Sequence, residues 1–254
     1  MTAIRSLIAA GALLLAGVSG SLAAGGGVEL KSKDWPQSGP FGGFDYASVQ
    51  RGYQVYSEVC AGCHAMKYLY YRNLADIGLS EAEVKALAAE ATVEDGPNAD
   101  GEMFERSGRP ADRFPAPFPN DQAARAANNG AVPPDLSLVV KARGGHEDYI
   151  YSLLIGYAEP PAGVEVREGM SYNLYFPGHH IAMGPPLEDD AVEYADGTAA
   201  TADQMAYDVV NYLAWAAEPM MEARKSMGVK VVLFLLLFSV LTYFVKRKVW
   251  AGLH

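Results

Sequence analysis

From Asp45 onward the apolar positions recur at helical spacing. Val49, Tyr53, Tyr56 and Cys60 share one face, with Asp45 placed to cap the first turn. Ser80 and Glu83 form the reciprocal pair of a capping box ahead of Val84, Leu87, Ala88 and Ala91, which predicts a second helix. A third is expected over 121–129, stopped by Gly130 and then Pro133-Pro134, and a fourth over 147–157. Thr201 and Gln204 make another capping box, with Met205, Val209, Tyr212, Leu213 and Ala216 on one face and Pro219 beyond the end. No period-two alternation is strong enough for a sheet, so the expected fold class is all-α. The connections 92–119 and 159–193 are long and rich in Pro, Gly and Asp, a mark of functional rather than ordinary loops.

Two further apolar runs lie near the ends of the sequence. Residues 7–18 follow Arg5 and precede the small residues Ser19 to Ala24. That order predicts an export signal over 1–24, with the mature chain starting near Gly25; an uncleaved anchor is the alternative. Residues 231–245 carry no charge, and 227–249 with Lys230 snorkelling make a helix of about 34 Å, enough to cross the hydrocarbon. A buried core helix is the alternative, but charges bracket the run on both sides. Lys246-Arg247-Lys248 follow at once, consistent with a cytoplasmic end. The expected organisation is a domain at 25–223 outside the cytoplasm, a transmembrane helix with flanks at 224–250, and a cytoplasmic tail at 251–254.

Composition narrows the class. Half of the 254 residues are hydrophobic, ample for a core, and the net charge is −10. Loss of 1–24 would remove only Arg5 among the charges. Such a surface repels nucleic acid and suits a basic partner.

The only two cysteines are Cys60 and Cys63, and His64 follows. Thiols at this spacing can reach the two vinyl groups of a haem, and the adjacent imidazole can then ligate its iron. A redox dithiol would expect a βαβ setting that is absent, and a zinc site would need a second pair of ligands. C-x-x-C-H therefore predicts one covalently attached haem c. For the sixth iron position the candidates include His146, His179, His180, His254 and nine methionines. Met183 stands out in IAMGPPL, where Gly184, Pro185 and Pro186 stiffen the chain beyond it; His179 and His180 remain open. His146-Glu147 lacks the second histidine of a zinc-protease helix, since position 150 is Ile150, and Gly25-Gly26-Gly27 has no phosphate-loop spacing.

RGYQVYSEVCAGCH, AARAANNGAVPPDLSLVVKARGGHEDYIYSLLIGY, EPPAGVEVREGMSYNLYFPGHHIAMGPPL, DGTAATADQMAYDVVNYLAWAAEP and ARKSMGVKVV occur in this order and cover most of the chain from Gly43 onward. In these blocks the sequence resembles the cytochrome c1 family, haem subunits of the cytochrome bc1 complex, in its bacterial form. C-x-x-C-H is shared with all c-type cytochromes, whereas NNGAVPPDLS, EDYIYSLL and WAAEP are more specific. The resemblance implies a c-type cytochrome fold with enlarged loops and one C-terminal transmembrane helix. It implies that Gly52 lets the first helix cross the last, against Val209 and Tyr212. It makes Met183 the sixth ligand, sets Arg143 near a haem propionate, and lines the pocket with Asn128, Pro134 and Tyr149. The extra disulfide of some bacterial members has no cysteines here, and Gly184 stands where members often have Ala or Pro.

The function so implied is electron transfer from a Rieske iron–sulfur protein to a soluble c-type cytochrome with a basic surface. Cytochrome b would be the membrane partner, in the inner membrane, with the haem domain in the periplasm. The subunit would carry electrons within a quinol–cytochrome-c reductase and do no bond chemistry. Glu188, Asp189, Asp190, Glu193 and Asp196 either steer the soluble partner or form a solvated acidic loop. The rival readings are a membrane-anchored c-type cytochrome of another electron-transfer chain, and a haem sensor or enzyme with an open iron site.

Overall fold

A computed structural model describes residues 28–252. The expected signal at 1–24, and residues 253–254 of the expected tail, lie outside the described residues. Seven α-helices are described: α1 (Tyr46–Val55), α2 (Glu81–Glu90), α3 (Asp121–Ala127), α4 (Val139–Ala142), α5 (His146–Ile155), α6 (Ala202–Ala217) and α7 (Met221–Trp250). Two antiparallel ribbons sit in the two long connections. One pairs β1 (Thr92–Asp95) with β2 (Phe104–Ser107), and the other pairs β3 (Ser171–Tyr172) with β4 (His180–Ile181). The mostly helical class is as expected; the ribbons fold locally and were not visible as alternation.

The core is built on the crossing of α1 and α6. Asp45 caps α1, its Oδ1 accepting from the N–H groups of Ala47 and Ser48 at 3.1 and 3.3 Å. Val49, Gly52, Val55 and Tyr56 face inward. At Gly52 the helices approach so closely that an added Cβ would lie 2.0 Å from the carbonyl oxygen of Asp208 and 2.8 Å from Cβ of Tyr212. Only glycine fits there. Tyr212 packs its ring against Tyr53 and Tyr56, each at 5.7 Å between centroids, and against Trp215 at 5.8 Å.

Beside the crossing, Asp208 is fully buried. Its carboxylate accepts from Ser48 Oγ at 2.7 Å, from Arg51 at 2.9 and 3.0 Å, and from Gln204 Nε2 at 3.1 Å. A buried charge so paired and hydrogen-bonded locks the rotation of α1 on α6, because loss of one partner would strand the other. The start of α6 differs from the expected capping box in one respect. Thr201 Oγ1 accepts from Gln204 N–H at 3.1 Å, but the Gln204 amide serves Asp208 instead of reaching back.

Around this pair, α4 and α5 pack on α6, while α2 packs on a 3-10 helix at Tyr71–Ile77 that the sequence pattern did not indicate. Ser80 and Glu83 form the full capping box of α2, as expected. The third and fourth helices end at Ala127 and Ile155, two residues short of expectation. The membrane-length helix α7 begins at Met221, which is buried in the core six residues before the apolar stretch, and runs 30 residues; its best apolar window has mean hydropathy 2.3 and no buried residue.

Candidate haem site

Helix α1 delivers the cysteines through a change of pitch. The turn that continues it, Tyr56–Cys60, is π-helical, and Ala61 N–H reaches back to the Tyr56 carbonyl at 2.8 Å. Such single wide turns cluster at functional sites because they re-aim a side chain at little cost. The chain then folds back: Cys63 N–H and His64 N–H both donate to the Cys60 carbonyl, at 3.1 and 2.9 Å. Three reactive side chains are thereby set within one tight bend.

Both thiols are free; Cys60 is half-buried and Cys63 exposed. Burial pushes the Cys60 thiol up to about 12, and the nearby Cys63 adds to the shift. A redox dithiol needs the opposite shift, toward thiolate at neutral pH.

His64 is held from behind. Its Nδ1 lies 2.8 Å from the carbonyl oxygen of Pro134. A carbonyl can only accept, so Nδ1 carries the proton and Nε2 presents a bare lone pair, the state a metal ligand requires. Burial lowers the imidazole's affinity for a second proton, opposed by the Pro134 carbonyl and by Asp135. The segment after Pro134 fastens to the bend by three more bonds. Leu136 N–H donates to the Ala65 carbonyl at 2.8 Å, Asp135 Oδ2 accepts from Lys67 N–H at 2.9 Å, and Ser137 Oγ accepts from Tyr68 N–H at 3.2 Å. Tyr56 donates its hydroxyl to the His64 carbonyl at 3.3 Å. Asp135 and Ser137 were missed as site residues; the signal was the PPDLS block in which they stand.

Arg143 is exposed and forms no ion pair among the described residues. It does act on Tyr149: burial pushes the Tyr149 phenol up, and the Arg143 charge opposes that shift. The Arg143 guanidinium is thus within electrostatic reach of the buried Tyr149 phenol. Asn128 is half-buried, and its Nδ2 donates to the Ala124 carbonyl at 2.8 Å, finishing α3. That bond gives it a helix-ending role whatever else it lines.

Met183 is half-exposed in the loop after β4. The Tyr157 hydroxyl, just past the end of α5, donates to its carbonyl at 3.1 Å. A backbone bridge between Tyr157 and Asn173 ties the same point to the ribbon. Among the described residues no hydrogen bond joins Met183 to His64 or the segment behind it. Of the other candidate ligands, His179 stacks on Tyr172 at 5.4 Å and bonds the Asn173 carbonyl at 3.1 Å, within its own ribbon. His180 keeps a buried Nδ1 without a partner. His146 bonds the Val140 carbonyl at 3.2 Å, and His254 lies outside the described residues.

The donor set fits a covalently attached haem: two unpaired thiols, an imidazole oriented with Nε2 bare, and a guanidinium with no carboxylate of its own. The buried Tyr212 hydroxyl, without a partner and within electrostatic reach of Cys60, also fits a missing neighbour on that side.

Comparison with known proteins agrees with this donor set. The family model described as Cytochrome C1 family matches residues 35–253. The cytochrome c1 of Rhodospirillum rubrum is 50% identical over 97% of this chain and 96% of its own length. A mitochondrial protein of Solanum tuberosum named "Cytochrome c1-2, heme protein" is 53% identical over 89% of this chain and 87% of its own. The "Cytochrome b-c1 complex catalytic subunit, mitochondrial" of Candida albicans is 51% identical over 88% and 78%.

Proposed function

The chain belongs to the cytochrome c1 family, and from that premise we propose that it is the electron-transferring haem subunit of a cytochrome bc1 complex. It works as part of an oxidoreductase with cytochrome b, carrying one covalent haem c. The finer assignments are our own reading: electrons arrive from a Rieske iron–sulfur protein and leave to a soluble c-type cytochrome, and this subunit makes and breaks no substrate bond. The observation that carries it is the C-x-x-C-H bend fastened to Pro134, with His64 Nδ1 committed and Nε2 bare.

The haem supplies a one-electron iron couple; the chain supplies attachment, ligation and electrostatics. Cys60 and Cys63 would hold it by two thioethers. His64 would ligate the iron through Nε2, kept in tautomer and direction by Pro134, as ligating histidines commonly are by their second nitrogen. Met183 would supply the second iron ligand, presented by a loop stiffened by Pro185 and Pro186 and hung from Tyr157. A thioether in that place raises the potential relative to a second imidazole, which suits a carrier late in a chain. Arg143, with Tyr149 near it, would meet the propionates, where a guanidinium would neutralise carboxylate charge. Pro134 and Asn128 line the same pocket.

The domain at 25–223 stands in the periplasm, delivered by a signal at 1–24 and anchored by α7 in the inner membrane as a single pass. Lys246-Arg247-Lys248 support a cytoplasmic C-terminus. The test is purification of the tagged full chain from its own membranes in mild detergent. Co-purification of cytochrome b and an iron–sulfur protein, with haem reduction on adding quinol, is the expected result. A haem protein that purifies alone and is not reduced by quinol would place it in another chain, and ready carbon monoxide binding to the intact reduced protein would mean an open iron site.

A further inference from the structure

Outside α7, the two most exposed large apolar side chains among the described residues are Phe41, 84% exposed, and Met220, 69% exposed. Both flank the point where α7 leaves the domain. Met220 is the residue before its first helical one, and Phe41 is carried by a turn fastened to its first two turns.

That fastening is specific. Lys225 Nζ donates to the carbonyls of Gln37 and Gly42, at 2.5 and 3.1 Å, so one ammonium closes both ends of the turn bearing Phe41. Ser38 N–H bonds the Trp35 carbonyl at 2.9 Å. Glu222 Oε1 accepts from Phe44 N–H at 2.7 Å, and its Oε2 accepts from the Tyr46 hydroxyl at 3.2 Å. The turn is as tight as backbone permits, since a Cβ on Gly42 would lie 2.1 Å from the Ser38 carbonyl oxygen. The chain thus fixes a benzyl group outward at the root of an apolar helix, and the ring gains nothing from the domain's own core.

The height of the turn identifies what the ring meets. The stretch able to enter hydrocarbon begins at Met227, two residues and about 3 Å along the axis from Lys225. Helical side chains lean toward the N-terminus, so the carbonyls bound by Lys225 lie somewhat farther from the membrane. The headgroup zone on each side of the hydrocarbon is roughly 5–8 Å deep. The Phe41 turn therefore stands at that zone, with Met220, about 10 Å above Met227, just beyond it.

We propose that Phe41 inserts into the headgroup–acyl boundary of the bilayer and sets the height and tilt of the domain on its anchor. Amphipathic anchors bury apolar side chains at this depth, and the exposed Lys230 suits an anionic headgroup. The proposal rests on α7 spanning the bilayer.

Haem attachment consumes both native thiols, so Phe41→Cys supplies a single free thiol for a nitroxide label. The mature full chain, in its complex, would be reconstituted in nanodiscs of phosphatidylcholine and phosphatidylglycerol. Collision with oxygen and with a water-soluble nickel chelate then reports depth. Val232→Cys gives a hydrocarbon reference and Leu174→Cys, exposed on the domain, an aqueous one. The label at 41 is expected to be several-fold less accessible to the nickel chelate than at 174, and shallower than at 232. Accessibility equal to that at 174 would put the ring in water, and shielding from both reagents would put it against a protein subunit; either overturns the proposal. Free access of nickel to 232 would instead overturn the anchor reading and this proposal with it.

Discussion

The imidazole of His64 is fixed by the carbonyl of Pro134, at 2.8 Å from Nδ1 and 70 residues away in the chain. The relation sets both the tautomer and the direction of Nε2. A donor at Nδ1 also strengthens the basicity of the ligating nitrogen.

The helix crossing is the support on which that bend rests. Gly52→Ala would push a methyl to 2.0 Å from the Asp208 carbonyl. Overpacking against backbone costs roughly 1–3 kcal/mol. The variant is expected to melt lower and to retain less haem, both measured on the purified protein by absorbance and circular dichroism. Gly184→Ala, where a Cβ meets nothing within 4 Å, is expected to leave the melting curve unchanged.

Arg143 bears on the potential. A positive charge beside a propionate stabilises the more negative, reduced form of the haem, so Arg143→Gln is expected to lower the midpoint. The fall measures how strongly the guanidinium acts on the unit of negative charge gained on reduction, an interaction weakened by solvent. Potentiometric titration at constant salt measures it, and an unchanged midpoint would remove Arg143 from the propionates.

The first ribbon is acid-sensitive by construction. Arg106 bonds Asp112 in fork fashion at 2.6 and 2.8 Å and also pairs with Asp95. These bonds hold the Asp112 carboxyl down at about 2, against the opposing effect of burial. Its unfolded value is about 3.9. A depressed folded value gives stability that is complete above the unfolded value and fades as the pH falls toward the folded one. Amide exchange over 92–107, corrected for intrinsic rates, is expected to lose protection between pH 5 and 2. Arg106→Met should weaken protection already at pH 5 and abolish the trend.

The acidic segment near Met183 divides by structure. Asp189 accepts from Ala202 N–H at 2.8 Å at the start of α6, and Asp196 pairs with Arg51 at 2.8 Å. Glu188, Asp190 and Glu193 are exposed. Electron transfer to a basic soluble cytochrome is expected to slow as ionic strength rises. Neutralising Glu188, Asp190 and Glu193 together should slow it several-fold at low salt and flatten that dependence, as stopped-flow measurement would show. A salt-independent rate would make the segment a solvated loop.

Much of this was legible in the chain. Asp45, Ser80 with Glu83, and Thr201 announced their helices because caps act over three or four residues. Gly52 was legible through its spacing from Cys60 once the family resemblance was in view, and C-x-x-C-H by itself. What the sequence hid acts at long range. The pairing of His64 with Pro134, of Lys67 with Asp135, and of Lys225 with Gln37 and Gly42 leaves no periodic trace. The π-turn at Tyr56–Cys60 keeps the apolar spacing of an ordinary helix, so only its hydrogen bonds reveal it. Gln204 was misread because its amide had a better partner, the buried carboxylate of Asp208, than the helix start it was expected to cap.

The axial pair is the centre of the account. Redox titration of the mature protein carrying Met183→Leu tests it most directly. Haem is expected to stay attached through Cys60 and Cys63, while the midpoint falls by something on the order of hundreds of millivolts, the scale on which axial ligands set haem potentials. A midpoint equal to that of the unaltered protein would contradict the account and move the sixth ligand elsewhere, with the unpartnered His180 the first place to look.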